Sequence, residues 1–277
     1  MATPRNQSVF KAFAMLKSFK SSDEWVTSSE LSRRANLPEA SGYRLIQTLQ
    51  EIGAVVRGPH GRYRPGMLLV SLSQNVDIGD LLHEASKSIT TELSQRLDVT
   101  VHVGLLEDGM VHYVTRASTP TSFSPHTRMG CQLEAYCSGL GKVLLAALPE
   151  EQLDRFVIDG ELVALTPYTI TDRSVLRATL DDARQQGFAL DRRETREDMF
   201  CVAVPVVDRH GRTVAAMSAT ENAEQMTAER QAQLLEALLL ASAELTRKVF
   251  PLAPDVPRAP PRHHSRHIGR HLEAEPA

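Results

Sequence analysis

The sequence predicts an α+β protein in which an N-terminal winged helix-turn-helix domain is joined by a linker helix to a C-terminal α/β domain. Three observations support this fold. Residues 27–53 have the pattern of two helices joined by a tight turn, and residues 55–64 follow them as a basic hairpin. From Val99 onward, segments with the alternation of strands lie between helical segments. A chain of 277 residues also has the length of two domains.

The helix-turn-helix pattern contains signals for where its helices begin and end. Thr27 and Glu30 have the spacing of a capping box, which predicts that the first helix begins there. Asn36 tolerates the left-handed conformation that ends a helix. Pro38 suits the first turn of the second helix, because a missing N–H costs nothing at that position.

The second helix of the pair is predicted to have one apolar face and one polar face. Its apolar residues recur at i, i+4 and i+7, namely Leu45, Leu49 and Ile52. The hydrogen-bonding residues that we expect to contact DNA phosphates and base edges are Ser41, Tyr43, Arg44, Gln47 and Thr48. An ordinary helical hairpin with a solvated polar face has the same split, because the motif is short.

Two further elements complete a winged helix-turn-helix. A helix is predicted over about residues 8–19, with Phe10, Phe13 and Leu16 on one face. After the helix pair, short strands at 55–57 and 62–64 flank a turn rich in Gly and Pro. We expect Arg57 and Arg62 of this wing to bind phosphates and release counterions, the alternative being a solvated hairpin edge.

Charge is distributed unevenly along the chain. Residues 1–70 hold 10 Lys/Arg against 5 Asp/Glu, whereas residues 71–250 hold 17 against 26. A basic segment followed by an acidic one is typical of a DNA-binding domain joined to a domain with another role. The chain has no apolar run of about 18 residues that could span a membrane and no signal-peptide pattern, so we expect it to be cytoplasmic. The three cysteines form no C-x-x-C pair, and we expect no metal and no cofactor.

The domain boundaries are predicted where these patterns change. The segments are the winged helix at 1–70, linker helices at 71–98, a C-terminal domain at 99–250 and a disordered tail at 251–277. Residues 78–97 carry an apolar stripe that fits either a dimer surface or packing on its own domain. The tail holds six of the 15 prolines and four of the ten histidines, which favours a flexible segment over a metal site.

In the C-terminal domain, alternation with a period of two predicts antiparallel hairpins. The first has strands at 99–105 and 110–114 around a turn at 107–109. Leu133 ends another short strand, and further strands are predicted at 188–191, 199–207 and 213–219. Helices are predicted at 150–156, 175–186 and 228–248, with a loop leading into a helix at 138–147.

Several short motifs occur together and indicate a family. The N-terminal part contains Leu37-Pro38, Arg44-Leu45 and Gly61-Arg62-Tyr63, and the C-terminal part contains GLGKVLLA (139–146), CVAVPV (201–206) and GRTVAAMS (211–218). With these motifs the chain resembles the isocitrate lyase regulator (IclR) family of bacterial transcription factors over about residues 7–250. The segments AYCS (135–138) and LTPYTITD (165–172) are similar to the branch that controls aromatic-acid breakdown through the β-ketoadipate pathway.

The resemblance implies homodimers, often dimers of dimers, and a small-molecule effector in a GAF-like C-terminal domain. By position, it implies an effector pocket formed by Leu133, Gly139, Leu140, Asp191, Met199, Cys201, Ser218 and Thr220. The N–H groups of residues 139–141 would suit an anion at a helix N-terminus. The hydroxyls of Ser218 and Thr220 would face one side of a strand, with apolar residues covering a ring. The alternative is that these are ordinary core and strand residues.

The polar loop at 115–130 either covers this pocket or carries surface charge, and its charged or titratable residues include Arg116, His126 and Arg128.

Two departures from the family pattern stand out. The family's usual Lys-Ser-Thr at the start of the recognition helix is Glu39-Ala40-Ser41 here, and Glu39 repels phosphate. The glycine often found three residues before the strand cysteine Cys201 is Asp198.

We therefore expect a transcription factor that binds a palindromic double-stranded operator and responds to a small carboxylic acid, most specifically an aromatic acid or a β-ketoadipate pathway intermediate. RNA polymerase is a further partner to consider. One alternative is a regulator that senses a short aliphatic acid such as glyoxylate or pyruvate, and another is a regulator with no small ligand. An enzyme with Cys137 or Cys201 as nucleophile is disfavoured, because no histidine stands at a motif spacing.

Overall fold

In a computed structural model, residues 6–21, 23–125 and 127–250 are described. They form two compact units that divide between Ser73 and Gln74. The predicted disorder of residues 251–277 falls outside the described residues.

The first unit is a winged helix-turn-helix, as the sequence predicts. Its described helices are α1 (Gln7–Leu16), α2 (Ser28–Arg34), α3 (Glu39–Glu51) and α4 (Met67–Ser73). Its strands are β1 (Val26–Thr27), β2 (Val55–Arg57) and β3 (Arg62–Pro65), which form an antiparallel sheet in the order β1-β3-β2. A short 3₁₀ turn, Pro59–Gly61, joins the two strands of the wing.

The predicted signals around α2 and α3 are largely present in the structure. Thr27 Oγ1 accepts the Glu30 N–H at 3.3 Å, although the Glu30 carboxylate pairs with arginines on α2 instead of closing the capping box. Asn36 has φ 54°, the left-handed conformation expected after α2. The position of Pro38 was wrong by one residue, since α3 begins at Glu39 and Pro38 precedes it.

The apolar face predicted for α3 was partly wrong. Leu49 is buried, but Ile52 is 56% exposed, and the fully buried side chain is Ile46. The reason is Gly42, where a Cβ would lie 1.9 Å from Ser32 Oγ of α2. Such a close approach turns the row Gly42-Ile46-Leu49 toward α2, because residues three and four apart share a helix face.

The apolar face predicted for the first helix was also shifted. Phe13 is 56% exposed, whereas Met15 is fully buried in the core of the first unit.

The second unit is built on one six-stranded sheet. Its strands are β4 (Thr100–Glu107), β5 (Met110–Ala117), β6 (Gln132–Glu134), β7 (Ala189–Arg192), β8 (Met199–Val207) and β9 (Thr213–Asn222). Its described helices are α5 (Ile78–Leu97), α6 (Gly139–Ala146), α7 (Glu150–Asp159), α8 (Arg173–Gln186) and α9 (Ala228–Val249). The strand order is β6-β5-β4-β9-β8-β7, and every neighbouring pair is antiparallel.

The two faces of this sheet are covered by different helices. Helices α5 and α9 pack on one face around an apolar core, and α6 packs on the other face with α8 behind it. On α5, the stripe residues Leu82, Ile89 and Leu93 are buried in this core, while Leu81 is 52% exposed. Helix α5 therefore uses most of its stripe to pack within its own unit.

Among the described residues, no helix is long and apolar enough to cross a membrane.

Candidate functional site

One cavity of about 300 Å³ lies on the face of the sheet that carries α6. The eight residues expected from sequence to form an effector pocket all line it, namely Leu133, Gly139, Leu140, Asp191, Met199, Cys201, Ser218 and Thr220. The lining residues not named from sequence as pocket residues are His102, Tyr113, Pro125, Thr127, Ser138, Leu165, Thr195 and Arg196. The sheet, the start of α6 and two loops thus enclose one small space.

The register of the sheet explains why distant residues meet at the cavity. Asp191 pairs with Cys201, and Cys201 pairs with Thr220. Two residues before Thr220 on β9, Ser218 pairs with His102 of β4. Because alternate residues of a strand face the same side, the two rows present their side chains to α6. Cys201 Sγ lies 3.0 Å from Thr220 Oγ1, so those two polar groups satisfy each other.

Helix α6 begins at the wall of the cavity and is held close to the sheet by its glycines. A Cβ on Gly139 would lie 3.3 Å from Ala203 Cβ, and a Cβ on Gly141 would lie 2.1 Å from the Ala135 carbonyl oxygen. Ser138 caps the helix, its Oγ accepting the Gly141 N–H at 3.0 Å. The expectation of free N–H groups over residues 139–141 was therefore wrong for Gly141.

Asp191 organises the turn that follows β7. Its Oδ1 accepts the Glu194 N–H at 2.8 Å, and its Oδ2 accepts the Thr195 hydroxyl at 2.6 Å. Burial raises the pKa of Asp191 to about 6, although the Thr195 hydrogen bond and the charge of Lys142 act in the opposite direction. Both carboxylate oxygens are engaged, so this residue shapes the cavity wall and orients Thr195 toward it.

A buried ion pair supports the same turn from outside the cavity. Lys142, on the second turn of α6, donates to Glu194, and the two side chains are 1% and 5% exposed. The Glu194 carbonyl in turn accepts the Thr169 hydroxyl at 2.7 Å, which anchors the loop that carries Leu165. Sequence reasoning assigned Lys142 to a family motif without a partner, because the partner lies 52 residues away.

His102 is a lining residue that sequence reasoning took only as part of a strand. Its Nε2 lies 2.7 Å from Thr127 Oγ1, and its ring meets Tyr113 edge-on with centroids 5.1 Å apart. Burial and the charge of Arg116 lower the pKa of His102 to about 3, so the imidazole is neutral at physiological pH. The signal available in the sequence was its place between two buried valines of one strand.

Arg196 is a second lining residue that no motif indicated. It lies in the loop between β7 and β8, where Nε and Nη2 donate to the carboxylate of Asp198 at 3.0 Å and 2.6 Å. Its guanidinium carbon is 5.3 Å from the centroid of the Phe123 ring. Its Nη1 is buried and has no hydrogen-bond partner among the described residues.

The polar loop at 115–130, for which cover of the pocket and surface charge were both open, reaches the cavity through residues other than its charged ones. Pro125 and Thr127 line the cavity, whereas Arg128 is exposed. Arg116 lies on β5 and donates to the hydroxyls of Ser118 and Ser124. His126 falls outside the described residues.

The cysteines of this unit are poor candidates for nucleophiles. Burial raises the pKa of the Cys137 thiol to about 12 and that of Cys201 well above its usual range, so both are protonated. Among the described residues, no group of three or more His, Cys, Asp or Glu side chains could hold a metal ion. A cavity with apolar walls and a few hydrogen-bonding groups is the general form of a small-molecule site.

In the first unit, most of the expected DNA-contact residues are accessible. Tyr43, Arg44, Thr48, Arg57 and Arg62 are exposed, and the three arginines form no salt bridge within the described part of the chain. Ser41 is half-buried on α3.

Gln47 differs from the other expected DNA contacts, because its amide nitrogen donates to Tyr63 Oη at 2.9 Å. It therefore ties α3 to the wing, and the second N–H and the carbonyl oxygen of its amide remain for DNA.

Comparison with known proteins gives matches over nearly all of the described chain. Residues 8–59 match the IclR helix-turn-helix domain, and residues 74–247 match the C-terminal domain of the bacterial transcriptional regulator IclR. The chain is 30% identical to the HTH-type transcriptional regulator XynR of Escherichia coli, over 88% of this chain and 97% of that protein. It is 26% identical to the Pca regulon regulatory protein of Pseudomonas putida, over 88% and 84% of the two chains.

A solved structure with a similar fold is that of an IclR homologue from Microbacterium hydrocarbonoxydans complexed with 4-hydroxybenzoate. The TM-score is 0.58 with 24% identity, and the match covers 87% of this chain and 98% of that one.

Proposed function

This chain belongs to the IclR family of bacterial transcriptional regulators, and we propose that its regulatory ligand is a small aromatic acid or an intermediate of the β-ketoadipate pathway. The observation that carries the proposal is the cavity on the α6 face of the sheet, which is lined by eight residues from five separate segments that the sequence had grouped. The genes controlled would then be those for breakdown of aromatic compounds.

The cavity suits a ligand with one ring. Its volume of about 300 Å³ lies at the lower end of the range of about 300–1,000 Å³ for ligand pockets. Leu133, Leu140 and Met199 offer apolar surface to a ring, and the hydroxyl of Ser218 has no hydrogen-bond partner among the described residues. A ring that carries a carboxylate and a hydroxyl matches this mixture of surfaces.

The relatives guide the choice among carboxylic acids. The Pca regulon regulatory protein shares 26% of residues with this chain, which supports a ligand from the same area of metabolism. The 4-hydroxybenzoate in the Microbacterium homologue supplies the first compound to test, while the likeness itself is one of fold.

The proposed mechanism is a shift between two arrangements of a homodimer or a dimer of dimers. A ligand changes this equilibrium only if it binds one arrangement more tightly than the other. Helix α5 follows the winged helix in the chain and packs on the opposite face of the strands that line the cavity. A change in β4 or β5 would reach α5 directly and alter how two winged helices match a palindromic operator. RNA polymerase would be a further partner where the regulator activates transcription.

The ligand is tested by calorimetric titration of the full chain with 4-hydroxybenzoate, protocatechuate, β-ketoadipate, pyruvate and glyoxylate. Saturable binding of one of the first three supports the proposal. Binding of pyruvate or glyoxylate alone would replace it with a regulator of short aliphatic acids. Binding of none would favour a regulator whose second unit has no small ligand.

The DNA interface is tested at Arg44, which lies exposed on α3 with no salt bridge among the described residues. Arg44→Ala should weaken binding to duplexes selected from random DNA with the wild-type protein by roughly tenfold or more, because an arginine contact to DNA is worth about 1–3 kcal/mol. Gel-shift titration measures this loss.

The control for Arg44 is Arg155→Ala. Arg155 is an exposed arginine of the second unit in a surface pair with Glu151, and its removal should leave DNA affinity unchanged. Equal affinities of the wild type and Arg44→Ala would remove Arg44 from the interface.

A further inference from the structure

We propose that the hydroxyl of Tyr113 binds the ring hydroxyl of the ligand, so that this residue selects hydroxylated aromatic acids over acids without that group. The inference rests on the proposed function, because it names the ligand class of the same cavity. Tyr113 lies on β5 and lines the cavity, although the sequence did not indicate it as a pocket residue.

A β-bulge turns the Tyr113 side chain toward the cavity. Thr115 pairs with Val103, and its hydroxyl lies 2.8 Å from the Ser86 hydroxyl of α5, so Thr115 points to the opposite face of the sheet. Residues two apart on a regular strand share a face, and Tyr113 would then point to α5 as well. The register shifts between Val103 and Gly104, which places Tyr113 opposite Gly104 and turns its ring to the α6 face. Bulges that re-aim a side chain in this way are common beside functional sites.

The hydroxyl of Tyr113 opens on the cavity without a partner. The residue is only 5% exposed, so the surface that it retains faces the cavity that it lines. The hydroxyl forms no hydrogen bond with the described residues, and it is not one of their unpartnered polar atoms that lack accessible surface. Tyrosine hydroxyls usually find a partner when they are buried, because an unmade hydrogen bond is costly. A ligand oxygen in the cavity would supply that partner.

The Tyr113 ring is held in position and is uncharged. Its backbone N–H donates to the Cys131 carbonyl at 3.0 Å, and its carbonyl accepts the Gly130 N–H at 2.8 Å. The His102 ring meets the Tyr113 ring edge-on, with centroids 5.1 Å apart. Burial raises the pKa of Tyr113 well above its usual value, so the hydroxyl keeps its proton. A phenol both donates and accepts a hydrogen bond, which suits a ring hydroxyl on the ligand.

Tyr113 lies on the far side of the cavity from the place that suits the acid group. Gly139 at the start of α6 lies over β7 and β8, since a Cβ on it would be 3.5 Å from both the Asp191 nitrogen and Cys201 Cβ. The N–H groups at a helix N-terminus suit a carboxylate. Strand β5 is three positions along the sheet from β8, about 14 Å at about 4.7–4.9 Å per strand. A ligand with its acid group at α6 therefore directs the opposite side of its ring toward β4 and β5.

Two other lining groups are candidates for the same contact. Nε2 of His102 already lies 2.7 Å from the Thr127 hydroxyl. Ser218 lies on β9, directly beside β8, and is therefore nearer to the start of α6. Tyr113 is thus the better placed of the three for a group on the far side of the ring. The alternative interpretation is an ordinary core tyrosine, whose hydroxyl would have no effect on the choice of ligand.

The test compares aromatic acids with and without the ring hydroxyl. Calorimetric titration measures the binding of 4-hydroxybenzoate, protocatechuate and benzoate to the wild-type chain and to Tyr113→Phe, which removes one oxygen and keeps the ring. The wild type should bind the tighter of the two hydroxylated acids more strongly than benzoate. Tyr113→Phe should weaken binding of that acid by roughly 2- to 10-fold, the value of one neutral hydrogen bond, while benzoate affinity changes little.

Tyr168→Phe is the matched control, because it removes the same hydroxyl from a tyrosine of the same unit. Tyr168 is 51% exposed and does not line the cavity. Its variant should keep the wild-type affinities for all three acids. Circular dichroism of Tyr113→Phe checks that the variant is folded, and its binding of benzoate checks that the cavity is intact.

The outcomes separate the two proposals. If Tyr113→Phe weakens the hydroxylated acid and benzoate alike, or weakens neither, the role of Tyr113 is overturned and the proposed function stands. The same conclusion follows if the wild type binds benzoate as tightly as the hydroxylated acids, or binds β-ketoadipate and neither of them. If the wild type binds none of 4-hydroxybenzoate, protocatechuate and β-ketoadipate, the proposed function and the role of Tyr113 fall together.

Discussion

The two faces of the central sheet have opposite characters although the same strands form both. On the face covered by α5 and α9, the inward residues are apolar and fully buried, including Val101, Val103, Val202, Val204 and Met217. On the face covered by α6, their immediate neighbours in sequence include His102, Cys201 and Ser218, which line a cavity.

The difference shows how one strand can encode both the core and a binding site. Successive residues of a strand point to opposite sides, so Met217 belongs to the packed face and Ser218 to the cavity face. An empty cavity and buried polar groups reduce stability, because contacts are missing and polar atoms leave water. The apolar core on the other face offsets that loss and leaves the cavity face free to vary with the ligand.

The largest effect should come from the buried ion pair behind the cavity. Lys142→Met leaves Glu194 as a buried charge without its partner and should reduce the free energy of unfolding by about 3–5 kcal/mol. The reason is that both side chains are almost fully buried, at 1% and 5% exposure. Urea unfolding followed by circular dichroism measures the change.

Two further variants test that interpretation of the ion pair. Lys142→Met combined with Glu194→Met removes both charges and should recover much of the stability. Lys248→Met removes a lysine whose side-chain hydrogen bonds lie at the protein surface, and it should change stability little. A double variant as unstable as the single one would show that packing, and not charge, accounts for the loss.

The helices and strands of both units follow from the sequence with small shifts at their ends. Helix α5 was predicted at 78–97 and spans Ile78–Leu97, and the hairpin turn at 107–109 appears with Asp108 and Gly109 at positive φ. These features depend on local periodicity and turn residues, which a sequence displays directly.

What escaped prediction depends on contacts between distant segments. The direction of the α3 apolar face is set by Gly42 against Ser32, and the partner of Lys142 is Glu194. Arg196 belongs to no motif, and its unpartnered Nη1 appears only when the loop is folded. Eight of the residues that line the cavity were named through the family resemblance, and composition or spacing alone would not have grouped them.

A smaller effect on stability is expected from Asp191, whose buried carboxylate forms part of the cavity wall. Burial raises the pKa of Asp191 to about 6 in the folded protein, above the unfolded value of about 3.9. The native state therefore binds more protons between these values, and wild-type stability falls as the pH rises through this window.

Asp191→Asn removes that titration. Relative to wild type, the variant should gain about 2 kcal/mol of unfolding free energy between pH 4.5 and pH 7, whatever constant offset the substitution adds. Urea unfolding at the two pH values measures the difference. A difference that does not vary with pH would mean that Asp191 titrates alike in the folded and unfolded states.

The smallest effect on stability is expected for Ser218→Ala. Comparison with a variant of Met217, the adjacent residue on β9, gives the sharpest test of the difference between the two faces. Ser218→Ala removes a hydroxyl that has no hydrogen-bond partner among the described residues, so stability should change by less than about 1 kcal/mol. Affinity for the acid that binds the wild type should fall by roughly 2- to 10-fold, the value of one neutral hydrogen bond.

Met217→Ala serves as the comparison for Ser218→Ala, because it opens a hole in the α5 and α9 core. It should cost about 2–5 kcal/mol and leave ligand affinity nearly unchanged. Thermal unfolding and calorimetric titration of both variants separate the two effects. If Ser218→Ala costs as much stability as Met217→Ala, or if it leaves affinity intact, then the face that carries α6 is a second core and the ligand does not bind at Ser218.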